Sequence, residues 1–581
     1  MRNKSNNLLG GESLAYFVFF LLLAIFTWSR VEMVSTHFTH YDDLYAPYLF
    51  TVIDQYDPLF FSSQLDKYGG SFGSMFSPIA FDFFTNYPSL FSFLKSALVP
   101  LAIAKTSTFA PLQFYLTALT VDFDTSYTVS KITFRLPSAI FSLLTVFMLY
   151  LFSKKLDKIE GLYTFIVGGT VLTASWMFLI YSSQGENFAA GVFSLITMIY
   201  LYEHYKDSEI SVKDSLKIGL FLSLLCLLHY QSIFFLPSFF LAMFYESNFS
   251  IRVFIKRWAG SIFTVSATLL FIYYVFLKDR LKENPGVHWN AGPDGQYVFN
   301  SDCGDGLFSC ATQVFTDNFF EVFQSITSFS NLDGSTSIGY TVVLILLTLC
   351  GLFYLYKQVR HRGLLLFFIT GLLVWVFLVL MGKITFSPTR HSLILLIMIA
   401  ILSSLGLYFI VNRFGKFPKS VYMASVFSIV VLTLYIFEFD GQKHKRIDPL
   451  EKINIQNIID EYNPDSIVAY SYAVHLEFFP EMKPKYNSEY FDVYPYYTIY
   501  SKKVDDKKQR VLLLCVNGEL CDSVASKPVT TILERYSESG AKYKLIFNYE
   551  KNSKVLNGFG SKAGSGSNGL YISVWDMNEY K

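Results

Sequence analysis

Gly363-Leu-Leu-Leu-Phe-Phe-Ile-Thr-Gly-Leu-Leu-Val-Trp-Val-Phe-Leu-Val-Leu-Met381 carries no charged side chain and one hydroxyl, Thr370. A helix of about 20 residues is roughly 30 Å long, the thickness of a bilayer's hydrocarbon core. No folded surface in water could cover so long an apolar cylinder on every side, so the stretch predicts a membrane span. Working outward from it, comparable runs fall at 13–30, 132–153, 161–180, 186–202, 214–230, 231–247, 259–277, 336–356, 391–411 and 420–438. With 363–381 they make about eleven spans, of which the fifth and sixth are short.

The rest of the composition agrees. Of 581 residues, 52% are hydrophobic and 18% aromatic, with 60 Phe and 40 Tyr. The 47 Lys and Arg balance 46 Asp and Glu, a net charge of +1, which excludes a strongly basic nucleic-acid binder and an acidic disordered chain. The cations are sorted along the chain. Arg2 and Lys4 precede the first span, and alternate short connections carry Lys154, Lys155 and Lys158, then Lys206 and Lys213, then Arg252, Lys256 and Arg257, then Lys357, Arg360 and Arg362, then Arg413, Lys416 and Lys419. Cationic loops resist translocation, so this alternation predicts a cytoplasmic N-terminus and an extracytoplasmic tail. The first span lacks a small-residue cleavage site and reads as a retained helix.

Three long segments then lie outside: 31–131, 278–335 and the chain after 439. Cys303 with Cys310 and Cys515 with Cys521 fall in these segments and are candidate disulfide pairs for an oxidising compartment, the alternative being free thiols. In the first segment the apolar run Pro88–Ala104 carries Lys95 and Pro100 and reads as an interfacial helix. The tail turns charged and mixed. It reads as a small α/β domain over 439–581, with a helix at 449–462, strands at 466–470, 511–516, 543–547 and 570–575, and a second helix at 530–539. Gly564-Ser-Gly-Ser-Asn-Gly569 matches a dinucleotide fingerprint only formally, since it precedes a strand and opens no helix.

Candidate chemistry gathers on the outer side. Asp42 and Asp43 follow the first span; adjacent carboxylates raise each other's basicity and suit a general base, though a solvated loop acid looks the same in sequence. Asp54 and Asp57 are weaker candidates. His37 and His40 with either acid have the donor types of a divalent-cation site, but no third ligand motif accompanies them. Arg135, Arg390, Lys383, Lys278 and Arg280 stand at outer helix ends against the basic-inside trend, where a lipid phosphate is one partner that would keep them and snorkelling to headgroups is another. Glu186, His229 and His391 stand at the same boundary and either line a cavity or meet water there.

Several of these motifs fall in one order. The acidic pair after the first helix is followed by Asn86-Tyr-Pro-Ser-Leu-Phe91, by Phe134-Arg-Leu-Pro-Ser-Ala-Ile140, by Tyr181-Ser-Ser-Gln184 and by Arg390-His-Ser-Leu-Ile-Leu395. That order resembles the glycosyltransferase C superfamily, in the branch of dolichyl-phosphate-mannose protein mannosyltransferases and bacterial aminoarabinose transferases, over about 400 residues of the membrane part. The resemblance implies a polytopic helical fold over 1–438 with a variable extracytoplasmic domain after it. It implies transfer of a sugar from a polyprenyl phosphate to an extracytoplasmic acceptor (protein, lipid A or another envelope glycan) in a bacterial inner membrane. Asp42 takes the place of the catalytic Asp, Asp43 replaces a Glu, and Arg135 and Arg390 match cations at the phosphate end. Two features depart from the pattern: Asn86-Tyr87 stands where the family often has Glu-Lys, and Tyr181-Ser-Ser-Gln-Gly-Glu186 lacks two arginines. A secondary transporter and an assembly scaffold are the alternatives; transporters usually keep charges at midplane, and the spans here are nearly free of them.

Overall fold

The computed structural model describes residues 3–36, 110–120, 127–185, 188–277, 307–329, 335–380, 390–414, 417–441, 455–470, 486–490, 497–502, 510–516, 544–551 and 570–576. Through Gly441 these residues are helical. In chain order the helices are α1 (Asn3–Thr36), α2 (Pro111–Thr120), α3 (Tyr127–Ser153), α4 (Lys158–Ala174), α5 (Trp176–Tyr181), α6 (Phe188–Tyr205), α7 (Val212–Leu228), α8 (Leu236–Glu246), α9 (Ile251–Ile272), α10 (Leu307–Thr327), α11 (Ser335–Lys357), α12 (Arg362–Leu380), α13 (Leu395–Phe414) and α14 (Phe417–Gly441). A 3-10 turn, Tyr230–Phe235, leads into α8. Seven helices, α1, α3, α9, α11, α12, α13 and α14, are long and apolar enough to cross a bilayer. The chain is a multi-pass helical membrane protein.

The side chains divide as that assignment requires. Leu22 and Phe26 of α1, Leu172 of α4, Phe178 of α5 and Leu195 of α6 lie in one continuous core and are fully buried. Phe263 of α9 and Phe437 of α14 are 70% and 73% exposed, and Leu220, Leu346 and Leu373 are exposed on other helices. Leaving so many large apolar side chains in water would forfeit about 1.5–3 kcal/mol each, so this outer layer faces lipid. In lipid the helices must be held by close packing rather than by a hydrophobic drive, which favours small residues at crossings. Helices α11 and α13 cross at Gly351 and Gly406: a Cβ on Gly351 would be driven into the Leu402 carbonyl oxygen, and one on Gly406 into that of Leu347. Both obstacles are backbone, which cannot rotate away. Gly351→Ala is therefore expected to cost about 1–3 kcal/mol and to lower the melting temperature of the purified protein; an unchanged melt would show that this crossing is loose.

One expectation about spans is corrected. The stretch 161–180 is not one helix: Ser175 leaves the helical region with φ −66° and ψ 111°, ending α4 and capping α5, where its hydroxyl accepts from the Phe178 amide at 3.1 Å. Within the segment 278–335, Leu307–Thr327 forms the 21-residue helix α10, whose end docks at that break. The Ser175 hydroxyl donates to the Ile326 carbonyl at 2.6 Å and the Trp176 amide donates to the Ser328 carbonyl at 2.7 Å. Three helix ends are thereby satisfied at one point without water.

Among the described residues of the tail, helix α15 (Ile455–Tyr462) is followed by six strands, β1 (Ser466–Tyr470), β2 (Tyr486–Tyr490), β3 (Tyr497–Lys502), β4 (Arg510–Val516), β5 (Lys544–Lys551) and β6 (Leu570–Asp576). They form one sheet in the order β2-β3-β1-β4-β6-β5. Only β1 and β4 pair in parallel; the other neighbours are antiparallel. The register sets Ile467 beside Leu512 and Leu512 beside Val574, and all three are fully buried, one apolar row across the central strands. A bulge at Ile546 interrupts the β5 pairing between Leu545 and Phe547. The expected helices at 88–104 and 530–539 lie outside the described residues.

Candidate functional site

The loops rich in Lys and Arg meet at one end of the bundle. Arg360, between α11 and α12, pairs with Asp157 at the start of α4. Lys206, after α6, donates to the Arg360 carbonyl at 3.5 Å and pairs with Glu203 at 2.6 Å. Arg257 of α9 donates from Nη2 to the carbonyls of Tyr205, Lys206 and Ser208 at 3.1, 3.2 and 2.6 Å, closing the end of α6. Beneath these, Glu160 of α4 is buried with both oxygens used: the Tyr354 hydroxyl donates to one, and His361 Nε2 lies 3.1 Å from the other. Tyr202 donates to Glu246 at 2.6 Å, tying α6 to α8. Burial, with Lys155 nearby, holds the His204 imidazole below its ordinary pKa.

The opposite end holds the outer-side candidates. Arg30, near the end of α1, is buried; its Nη1 donates to Ser29 Oγ at 3.1 Å and the Thr173 carbonyl at 3.3 Å, and its Nη2 to the Leu172 carbonyl at 3.3 Å. The guanidinium carbon stands 3.8 Å from the centre of the Phe26 ring. Helix α4 stops at Ala174, so its last carbonyls lack helical partners and carry the negative end of its dipole; Arg30 supplies both donors and charge. Sequence reading gave Arg30 no role because it ends an apolar run. Its signal was that of Arg135, a cation at a helix end away from the basic loops.

Arg135 is a second buried cation at this end. It sits in the third turn of α3 rather than at its start, is fully buried, and donates from Nη1 to the Val34 carbonyl at 3.0 Å. The end of α1 supplies one partner for this cation. Arg30 thus ties the last turns of α1 to α4 and Arg135 ties them to α3; α1 ends at Thr36, six residues before Asp42.

His229 and His391 are brought together around Phe188. The Phe188 ring lies edge-on to both, at 5.3 Å from His229 and 5.8 Å from His391. Gln231 donates to the His391 carbonyl at 3.1 Å, joining the 3-10 turn after α7 to the turn Arg390–Ser392 that opens α13. A Cβ on Gly191 would stand 2.8 Å from His229 Nδ1, so glycine there makes room for the imidazole.

Asp42, Asp43, Asp54, Asp57, His37, His40, Glu186, Lys278, Arg280, Lys383, Cys303 and Cys521 lie outside the described residues, as do the side chains of Arg390, Cys310 and Cys515. The backbone of Cys310 belongs to α10 and that of Cys515 to β4. Among the described residues no three His, Cys, Asp or Glu side chains gather as a metal site. Comparison with protein-family models, curated proteins and solved structures finds no match to this chain.

Proposed function

We propose that the chain is a membrane glycosyltransferase that moves a hexosyl or pentosyl unit from a polyprenyl-phosphate donor to an extracytoplasmic acceptor. The observation that carries this reading is the acidic pair Asp42-Asp43, which follows in sequence, six residues on, a helix end that lies opposite the basic loops and is held by two buried arginines. A general base works only if it is held in place, and a clamped helix end is a rigid point of departure for the segment that bears it. In this reading the basic end is cytoplasmic, about eleven segments cross the membrane, and the tail sheet belongs to an extracytoplasmic domain. The setting is a bacterial inner membrane.

The step is an inverting displacement. The acceptor oxygen forms a bond to the anomeric carbon, the bond from that carbon to the phosphate oxygen breaks, and polyprenyl phosphate leaves with the electron pair. Asp42 takes the acceptor proton, and Asp43 supports its basicity. Arg390 and Lys383 stabilise charge growing on the phosphate. His229, His391 and Glu186 border the sugar, and His37 and His40 are the residues that would hold a divalent cation. Mass spectrometry of envelope glycans and glycoproteins, with and without the gene, tests the reading. The expected result is loss of one sugar mass from one class of acceptor, restored by the intact gene; identical profiles overturn it.

A further inference from the structure

We infer that the basic ends of α11 and α13 together bind the headgroup of an anionic phospholipid in the leaflet on that side. The inference is independent of the transferase reading. The two helices run parallel there, in a register fixed by their aromatic side chains. Phe353 and Phe409 meet at 5.6 Å between ring centres, and Tyr354 meets Tyr408 at 5.6 Å and Phe409 at 6.0 Å. One turn beyond that contact, four residues further along each helix, stand Lys357 and Arg413. Residues four apart share a helix face, so the register brings two cations to one level on neighbouring helices.

Neither has an ion pair or hydrogen bond to a carboxylate among the described residues, and both are exposed. Three other cations at this end are matched: Arg360 pairs with Asp157, Lys206 with Glu203 and Lys217 with Asp214. Two like charges held side by side repel unless an anion joins them. Exposed apolar surface lies directly below. The Lys357 ammonium stands 5.3 Å from the Phe353 ring and 5.9 Å from that of Tyr356, and these rings are 45% and 60% exposed. Aromatic rings at the membrane boundary with cations above them fit acyl chains below a phosphate, and basic niches between helices on the cytoplasmic side are sites for acidic headgroups.

The test is native mass spectrometry of the full-length protein with added phosphatidylglycerol or phosphatidylcholine. The wild type is expected to retain phosphatidylglycerol preferentially, and Lys357→Gln with Arg413→Gln to lose about fivefold in that preference per cation removed. The pair Lys357→Arg with Arg413→Lys should keep it. So should a control with two exposed cations removed elsewhere at the same end, Arg252→Gln with Lys256→Gln. Equal retention of both lipids by the wild type, or an equal loss in the control, overturns the proposal. Loss of the preference on adding inorganic phosphate alone would make this a free-phosphate site and overturn the lipid assignment. Capture of a second copy by cross-linking from Tyr356→Cys would make it a subunit contact, with the same consequence.

Discussion

Replacing Asp42 with Asn is expected to slow sugar transfer by roughly 10²–10⁴-fold, with donor binding nearly unchanged. The phosphate is already a good leaving group, so the proposed step asks little of an acid and much of the base that receives the acceptor proton. Asn keeps the shape of Asp and can still accept a hydrogen bond, but it cannot take up that proton at neutral pH. The loss should therefore fall on turnover rather than on donor affinity, the pattern of an interaction made in the transition state. Asp43→Asn should do less, because it removes only the neighbour that raises the basicity of Asp42. Purified protein with a labelled polyprenyl-phosphate sugar and the acceptor found by mass spectrometry gives both quantities. Full turnover by Asp42→Asn would refute the assigned base. Lost turnover with lost donor binding would place Asp42 in donor recognition instead.

What the sequence made legible follows from the physics of the two solvents. Apolar length is a strong signal, so the helices around Leu396, Phe368 and Val146 fall close to the runs 391–411, 363–381 and 132–153. Charge sorting is another, and the described contacts join four of the five basic connections at one end through Arg360, Lys206 and Arg257. Interruptions are a weak signal. Ser175 lies in an apolar run with no Gly or Pro beside it, and what breaks the helix is a tertiary contact 151 residues away, with Ile326. No local pattern carries that information. Arg135 shows a further limit. Reading a cation at a helix end as one in need of a partner is sound, but burial in protein and burial at a headgroup look alike in sequence, and here the Val34 carbonyl is one partner. In the tail, strand-like runs at 466–470 and 511–516 coincide with β1 and β4, whereas β2 and β3, rich in Tyr, Ser and Asn, lack the apolar alternation that marks a strand.

Glu160→Ala is expected to destabilise the protein by about 3–5 kcal/mol, the largest effect of any single change at the basic end. Glu160 and His361 have side chains only 6% and 2% exposed, and the carboxylate joins three elements: α4 that carries it, α11 through the Tyr354 hydroxyl, and the turn before α12 through His361 Nε2 at 3.1 Å. The desolvation of that carboxylate has been offset by two donors. Removing it leaves both donors buried without an acceptor, and each costs about 1–3 kcal/mol. Glu160→Gln should fall between alanine and wild type, about 1–3 kcal/mol, because the amide oxygen can still accept from Tyr354 while the amide nitrogen meets His361. The nearby pair of Arg360 and Asp157 looks comparable on a contact diagram but has side chains 50% and 65% exposed, so Asp157→Asn should cost at most about 1 kcal/mol. Melting of the purified variants in one detergent gives the order: alanine lowest, glutamine next, Asp157→Asn near wild type. If Asp157→Asn falls below Glu160→Ala, the exposed pair holds this end together and the buried carboxylate does not. A double-mutant cycle with His361→Ala then apportions the effect: a coupling near zero would assign the stability to Tyr354 alone.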